Sequence, residues 1–367
     1  MVIDDTALRP VNNNLTLVRL VLASAVIVTH SYWRVTGIAG ADPLSPLLFA
    51  PISDYAVDAF FFLSGFLVYQ SLMRRMAVGL FAVARLARLL PGLALSVLVT
   101  VAAGYWASSA AGPDYFGGAT AKFLATNLTF LGGSYSLTGV HCGDQALCVV
   151  NGSLWTLPWE ARCYVVLAVL AMTGFAAPGR MLWLVLPLTA AGAIAWHLPG
   201  VQALALAIGG KGLVFTLTVA DRLWPLFAAG ITASLLRDRI RLSWTVLAAL
   251  LAAHLLASWA GLELHTRTIL VGYAVLCCGF LTARGGAISA TWPDYSYGMY
   301  IYAFPVMMAL AALWPFTNFV ALAVATFAAT VPLAAFSWHL VEEPVLALVR
   351  RRTLARRARQ EMVPQPG

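Results

Sequence analysis

Leu15 to His30 reads LTLVRLVLASAVIVTH, an apolar stretch that carries one arginine, Arg19, and ends on one histidine, His30. The run is long enough to predict a helix crossing a bilayer, which takes about 20 apolar residues. Eleven positions separate the two ionisable groups. At about 100° and 1.5 Å per residue they share a face and stand roughly 16 Å apart along the axis, about half a bilayer. An ionisable side chain at that depth is costly unless it meets a partner or a wet cavity, so Arg19 and His30 mark a candidate functional site.

The rest of the chain agrees with a membrane setting. Of 367 residues, 61% are hydrophobic and only 10% charged, and the mean hydropathy is +0.82. That balance excludes an ordinary soluble protein and predicts an all-α polytopic membrane protein. No polar stretch is long enough for a second soluble domain, so one integral domain is expected over residues 1–349, with a basic cytoplasmic tail over 350–367. The tail is expected to be a frayed extension lying on anionic lipid. The net charge of +8 is mostly arginine in short loops, which membrane orientation explains, and nucleic acid is not an expected partner. Ala23-Ser24-Ala25 resembles a signal-peptide cleavage site, but the apolar run continues through Val28 and a retained first span is expected.

Apolar windows predict about ten transmembrane helices, near 15–33, 56–73, 86–106, 158–175, 181–198, 213–235, 243–261, 268–284, 297–314 and 320–340. With both termini cytoplasmic, sixteen of the 23 Lys and Arg residues fall on inner segments and four, Arg34, Lys122, Lys211 and Arg267, on outer ones. The excess fixes the orientation. Ala119 to Leu131 is short and contains Lys122 and Asn127, so it reads as an external surface or re-entrant helix inside a long outer loop, Trp106 to Gly152. Pro199 to Gly212 reads as another outer loop. Cys163, Cys277 and Cys278 fall in spans as packing residues. Cys142 and Cys148 share the outer loop, where a disulfide and two free thiols are both open readings, and their spacing is a poor metal signature.

In this topology His30, Asp58 and Glu160 lie at similar depth near the outer ends of spans one, two and four. A histidine oriented by a carboxylate is a better base for activating a hydroxyl. Asp58 also suits an N-cap, and Glu160 after Pro158 suits an ordinary helix start. At the inner side Arg85 and Arg88 are three apart and can fork onto phosphates. Ser153, Trp155, Tyr297 and Tyr300 are candidate substrate-binding residues, although tryptophan and tyrosine also populate membrane interfaces. Glu342 and Glu343 end span ten, where they can meet the inner arginines as a structural ion pair.

Taken together these segments resemble the acyltransferase 3 family of integral membrane acyltransferases that modify cell-surface and secreted carbohydrates. Arg19 and His30 match its Arg-x10-His motif, and Val57-Asp58-Ala59-Phe60-Phe61-Phe62-Leu63-Ser64-Gly65-Phe66 is similar to its second-span signature. Arg85 and Arg88 resemble its Arg-x-x-Arg motif, Ser153-Leu154-Trp155 through Glu160 its Ser-Leu-Trp motif, and Ser337 to Pro344 its final helix. Two features depart from the pattern: Ala303 stands where many members carry a histidine, and no soluble hydrolase-like domain follows.

The resemblance implies an acyl-coenzyme A donor, acetyl-CoA foremost, with phosphates near Arg85 and Arg88 and the pantetheine arm along the Arg19 face toward His30. His30 would act as general base or acyl carrier on a glycan or glycoconjugate acceptor at the outer side of a bacterial plasma membrane. A transporter or flippase of lipid-linked sugar, and an acyltransferase for a small secreted molecule, are the competing readings.

Overall fold

The computed structural model describes residues 1–75, 77–140 and 148–361. In chain order the main helices are α1 (Leu15–Thr36), α2 (Ile52–Arg75), α3 (Val78–Ala107), α4 (Gly118–Leu128), α5 (Leu157–Met172) and α6 (Leu186–Trp196). They continue as α7 (Val201–Leu235), α8 (Trp244–Trp259), α9 (Glu263–Phe280), α10 (Ser296–Leu313), α11 (Phe319–Ser337) and α12 (Glu343–Glu361). Among the described residues there is no strand, only one isolated bridge between Ser108 and Val140. The all-α expectation holds.

Nine helical segments among the described residues are long and apolar enough to cross a membrane. The remaining expected span, 243–261, is α8, an apolar helix of 16 residues that rises only about 24 Å. Their outward apolar side chains, such as Trp183, Ile208, Phe215 and Leu256, are exposed, as a lipid-facing surface requires.

Three boundaries differ from the sequence reading. The outer loop expected over 199–212 is helical from Val201, because alanine and leucine propagate the helix up to Gly210, where φ is +65°. Span three starts at Val78 rather than residue 86, which places Arg85 and Arg88 two turns inside a helix. The tail is not frayed where it is described: α12 continues to Glu361, built largely from leucine, alanine and arginine, and residues 362–367 lie outside the described residues. The helix expected near 119–131 is α4.

Two compact units make up the chain, one of Met1–Arg74 with Trp159–Pro293 and one of Arg75–Pro158 with Asp294–Gly367. In the first, the core gathers Leu15, Ala59, Phe62, Leu63, Phe66, Val271, Val275 and Phe280. Helices α2 and α7 meet through reciprocal glycines. A Cβ on Gly65 would run into the Phe227 carbonyl, and one on Gly230 into the Phe62 carbonyl. Close backbone approach through small residues replaces the hydrophobic drive that lipid does not supply. Gly230→Ala is therefore expected to cost about 1–3 kcal/mol through overpacking, seen as earlier thermal unfolding in detergent. Gly192→Ala, in open space, should leave the midpoint unchanged.

The start of α1 is tied down by asparagines. Asn13 Nδ2 donates to the carbonyls of Ala7 (3.0 Å) and Arg9 (2.8 Å), and Asn14 N donates to Gly279 O at 2.7 Å. At the other end Asp42, 2% exposed, accepts from Thr29 Oγ1 at 2.8 Å and from Ile52 N at 2.6 Å, fastening the α1–α2 connection to the turn of α1 that carries His30.

In the second unit, Pro305 inside α10 has no N–H for the carbonyl of Ile301 one turn earlier. Ser96 Oγ (3.1 Å) and Asn151 Nδ2 (2.9 Å) donate to that carbonyl instead, joining α3 and the Gly152–Thr156 turn to α10.

Candidate active site

In the first unit Arg19 and His30 lie on α1, the arginine with Nη2 3.4 Å from Thr16 Oγ1, the histidine half-buried between the buried Thr29 and Ser31. Glu160, near the start of α5, accepts at Oε1 from Ser64 Oγ (3.2 Å) on α2 and from the hydroxyl of Tyr164 one turn along its own helix. Ser64 Oγ and Tyr164 OH are themselves 3.0 Å apart, so two hydroxyls converge at one carboxylate oxygen.

Asp58 has a different environment. It is 1% exposed on α2, and both its oxygens face arginines. Arg222 of α7 donates Nε to Oδ1 at 3.0 Å, with Nη2 also 3.0 Å from that oxygen and 3.3 Å from Asp54 Oδ1. Arg267 Nε of α9 stands 2.8 Å from Oδ2, an ion pair whose N–H is not aligned as a hydrogen bond. The guanidinium of Arg267 also lies 5.5 Å from the centre of the Tyr55 ring. Two arginines and two aspartates balance, which is how buried charge persists in a membrane helix bundle.

Beside this cluster Tyr55 OH donates to Leu48 O (2.7 Å) and therefore accepts from Nε2 of His254 (2.8 Å), while His254 Nδ1 meets Thr266 Oγ1 at 2.7 Å. A lone histidine in an apolar helix gives no signal of this clip in the sequence.

In the second unit Arg88 is the centre. Its Nη2 is 2.8 Å from Asp294 Oδ2 and its Nη1 3.3 Å from Glu342 Oε2. Its guanidinium carbon lies 5.3 Å from the Tyr297 ring centre and 5.6 Å from that of Trp338, and the side chain keeps 21% exposure. Glu342 lies in a π-helical turn, Trp338–Glu342, and its Oε1 accepts from Ser337 Oγ at 2.9 Å. Tyr302 OH in turn donates to Ser337 at 3.2 Å. The expected meeting of a span-ten acid with an inner arginine is thus Glu342 with Arg88, whereas Glu343 pairs with Arg350 at 2.8 Å. Arg85, one turn earlier on α3, lies 6.0 Å from the centre of the Phe81 ring.

Tyr297 donates to Leu89 O at 2.7 Å, and Tyr300 OH is 2.8 Å from Thr156 Oγ1. Trp155 is half-buried in the Gly152–Thr156 turn, and Ser153 Oγ in the same turn is buried with no hydrogen-bond partner among the described residues. Cys148 is disulfide-bonded; Cys142, the partner expected from the sequence, lies outside the described residues. Cys163, Cys277 and Cys278 are free thiols.

Comparison with known proteins places the chain as a whole. An "O-acetyl transferase" of Shigella phage Sf6 is 26% identical over 354 residues, covering 89% of this chain and 94% of the relative. "Nodulation protein 10" of Rhizobium leguminosarum bv. viciae is 28% identical over 379 residues, covering 94% and 96%. No solved structure gives a significant match. The acyltransferase domain of the acyltransferase 3 family matches residues 12–339, nearly the whole apolar part, from the Arg19–His30 segment to the start of the Ser337–Pro344 motif. The chain therefore belongs to the acyltransferase 3 family, and it is a multi-pass membrane acyltransferase.

Proposed function

We propose that the protein is an O-acetyltransferase of a bacterial plasma membrane, moving an acyl group from cytoplasmic acyl-CoA to a hydroxyl of a glycan or glycoconjugate outside. The observation that carries this reading is the shared face of Arg19 and His30 on a membrane helix, in a chain of this family with a relative named for O-acetyl transfer. His30 takes the proton of the acceptor hydroxyl as its oxygen attacks the thioester carbonyl. The C–O bond forms, the C–S bond breaks, and the proton ends on the coenzyme A thiolate. Histidine as acyl carrier gives the same balance in two steps.

Of the two carboxylates that could orient His30, we assign the role to Glu160. Both oxygens of Asp58 are engaged by Arg222 and Arg267, which suits a structural part, so a catalytic Asp58 is the weaker alternative. The unsatisfied hydroxyl of Ser153 supports its assignment to substrate, with Trp155, Tyr297 and Tyr300 as the aromatic residues of the same unit.

The donor's phosphates fit Arg85 and Arg88. Beside its contacts to Asp294 and Glu342 the Arg88 side chain stays partly accessible, and a planar guanidinium suits a phosphate. Arg88→Ala is expected to weaken acetyl-CoA binding by about tenfold or more, the weight of a charge-assisted hydrogen bond. Arg88→Lys should rescue it poorly, because an ammonium lacks the planar fork. Calorimetry on purified protein checks both. Undiminished donor affinity in Arg88→Ala would remove that residue from the donor site.

A further inference from the structure

The first unit holds a cavity of about 590 Å³ that the acyl-transfer reading does not use. It opens between the N-terminal segment, the last turns of α2 and the end of α7. The volume falls within the range of roughly 300–1,000 Å³ usual for small-molecule sites. Its depth is that of a bilayer interface, because two membrane-crossing helices end at its wall.

Four charged residues line it: Arg74 and Arg237, and Asp5 and Asp238. The charges cancel in sum but not in place. Arg237 and Asp5 are 2.5 Å apart, and Asp5 is 86% exposed, a rim ion pair of the kind that solvent screens and a ligand readily exchanges. Deeper in the wall Gln70 is only 7% exposed, and its Nε2 has no hydrogen-bond partner among the described residues. An acceptor oxygen from a bound molecule would satisfy that amide, whose desolvation otherwise costs stability. Leu8, Met73 and Leu235 supply an apolar side.

A ligand matched to this lining has a phosphate for the arginines, a cationic hydrogen-bond donor for the aspartates, an ester or phosphate oxygen for Gln70, and an apolar remainder. We propose that the cavity binds the headgroup of a zwitterionic phospholipid bearing a primary ammonium, phosphatidylethanolamine in chemical terms, drawn from the leaflet at the arginine-rich end of the bundle. Balanced lining charge disfavours a purely anionic ligand such as a nucleotide. The ammonium distinguishes this lipid from phosphatidylcholine, whose quaternary nitrogen has no N–H to give the carboxylates.

Native mass spectrometry of the delipidated full chain tests this, with dioleoyl-phosphatidylethanolamine, -phosphatidylcholine and -phosphatidylglycerol supplied singly and ADP as the nucleotide probe. One retained phosphatidylethanolamine is expected, preferred about tenfold over the other two lipids. Arg237→Gln and Asp238→Asn should each abolish that preference; both positions lie at the cavity's open side, and the lipid preference of the unaltered chain decides even if a variant misfolds. Equal retention of the three lipids, a preference unchanged in both well-folded variants, or displacement of the lipid by ADP would overturn the proposal.

Discussion

His30→Ala is expected to lower acyl transfer by about 10²–10⁴-fold, the usual weight of a positioned general base, while leaving acetyl-CoA affinity and thermal stability nearly unchanged. The separation follows from where the residue sits. His30 is half-buried on α1, whose ends are fixed by other groups: Asn13 and Asn14 at the start, Thr29 and Asp42 near the close. Those anchors remain in place when the imidazole is removed. Transfer measured by product mass beside donor binding by calorimetry reads the two effects apart. Glu160→Gln should lose less than His30→Ala, since a residue that orients the base acts only through it. A turnover in His30→Ala equal to that of the unaltered chain would remove His30 from the mechanism.

The largest stability effect is expected at Asp58. Asp58→Ala leaves the guanidinium groups of Arg222 and Arg267 facing each other in a buried site with only Asp54 as counter-charge. Breaking a buried ion pair from one side typically costs about 3–5 kcal/mol, or roughly 4–6 °C in a chain of this size. Removing the arginines as well, in Asp58→Ala with Arg222→Met and Arg267→Met, should recover part of that loss because the only charge left of the cluster is that of Asp54, a third exposed. Thermal unfolding in detergent checks the series. A single variant that melts with the unaltered chain would show that the cluster carries no stability and would reopen a catalytic role for Asp58.

Much of the fold was legible because membrane helices announce themselves one segment at a time. Apolar runs set the approximate positions, and Arg19 and His30 stood out as the ionisable pair within the first of them. The departures have local causes. Gly210 kinks α7 after a first stretch that had been expected as loop, and α3 begins early because Val78 to Ala84 is apolar enough to join it to the arginines.

What the sequence could not supply was pairing. Asp58 and Arg222 lie 164 positions apart, and Arg88 and Glu342 254. Periodicity gives the face of a helix but not the helix it meets. The Ile301 carbonyl was an exception that could have been found, since Pro305 one turn on announces an unpaired acceptor that something polar must satisfy.

The most direct test of the account is free-thiol release from acetyl-CoA by the purified chain in nanodiscs, with and without a glycan acceptor, alongside donor binding. Donor binding with acceptor-stimulated thiol release, and acetyl mass gained by the acceptor, is the predicted result. A folded chain that binds acetyl-CoA without releasing thiol in the presence of any glycan hydroxyl, or that fails to bind it, would contradict the donor assignment and return the polar face of α1 to a transport role.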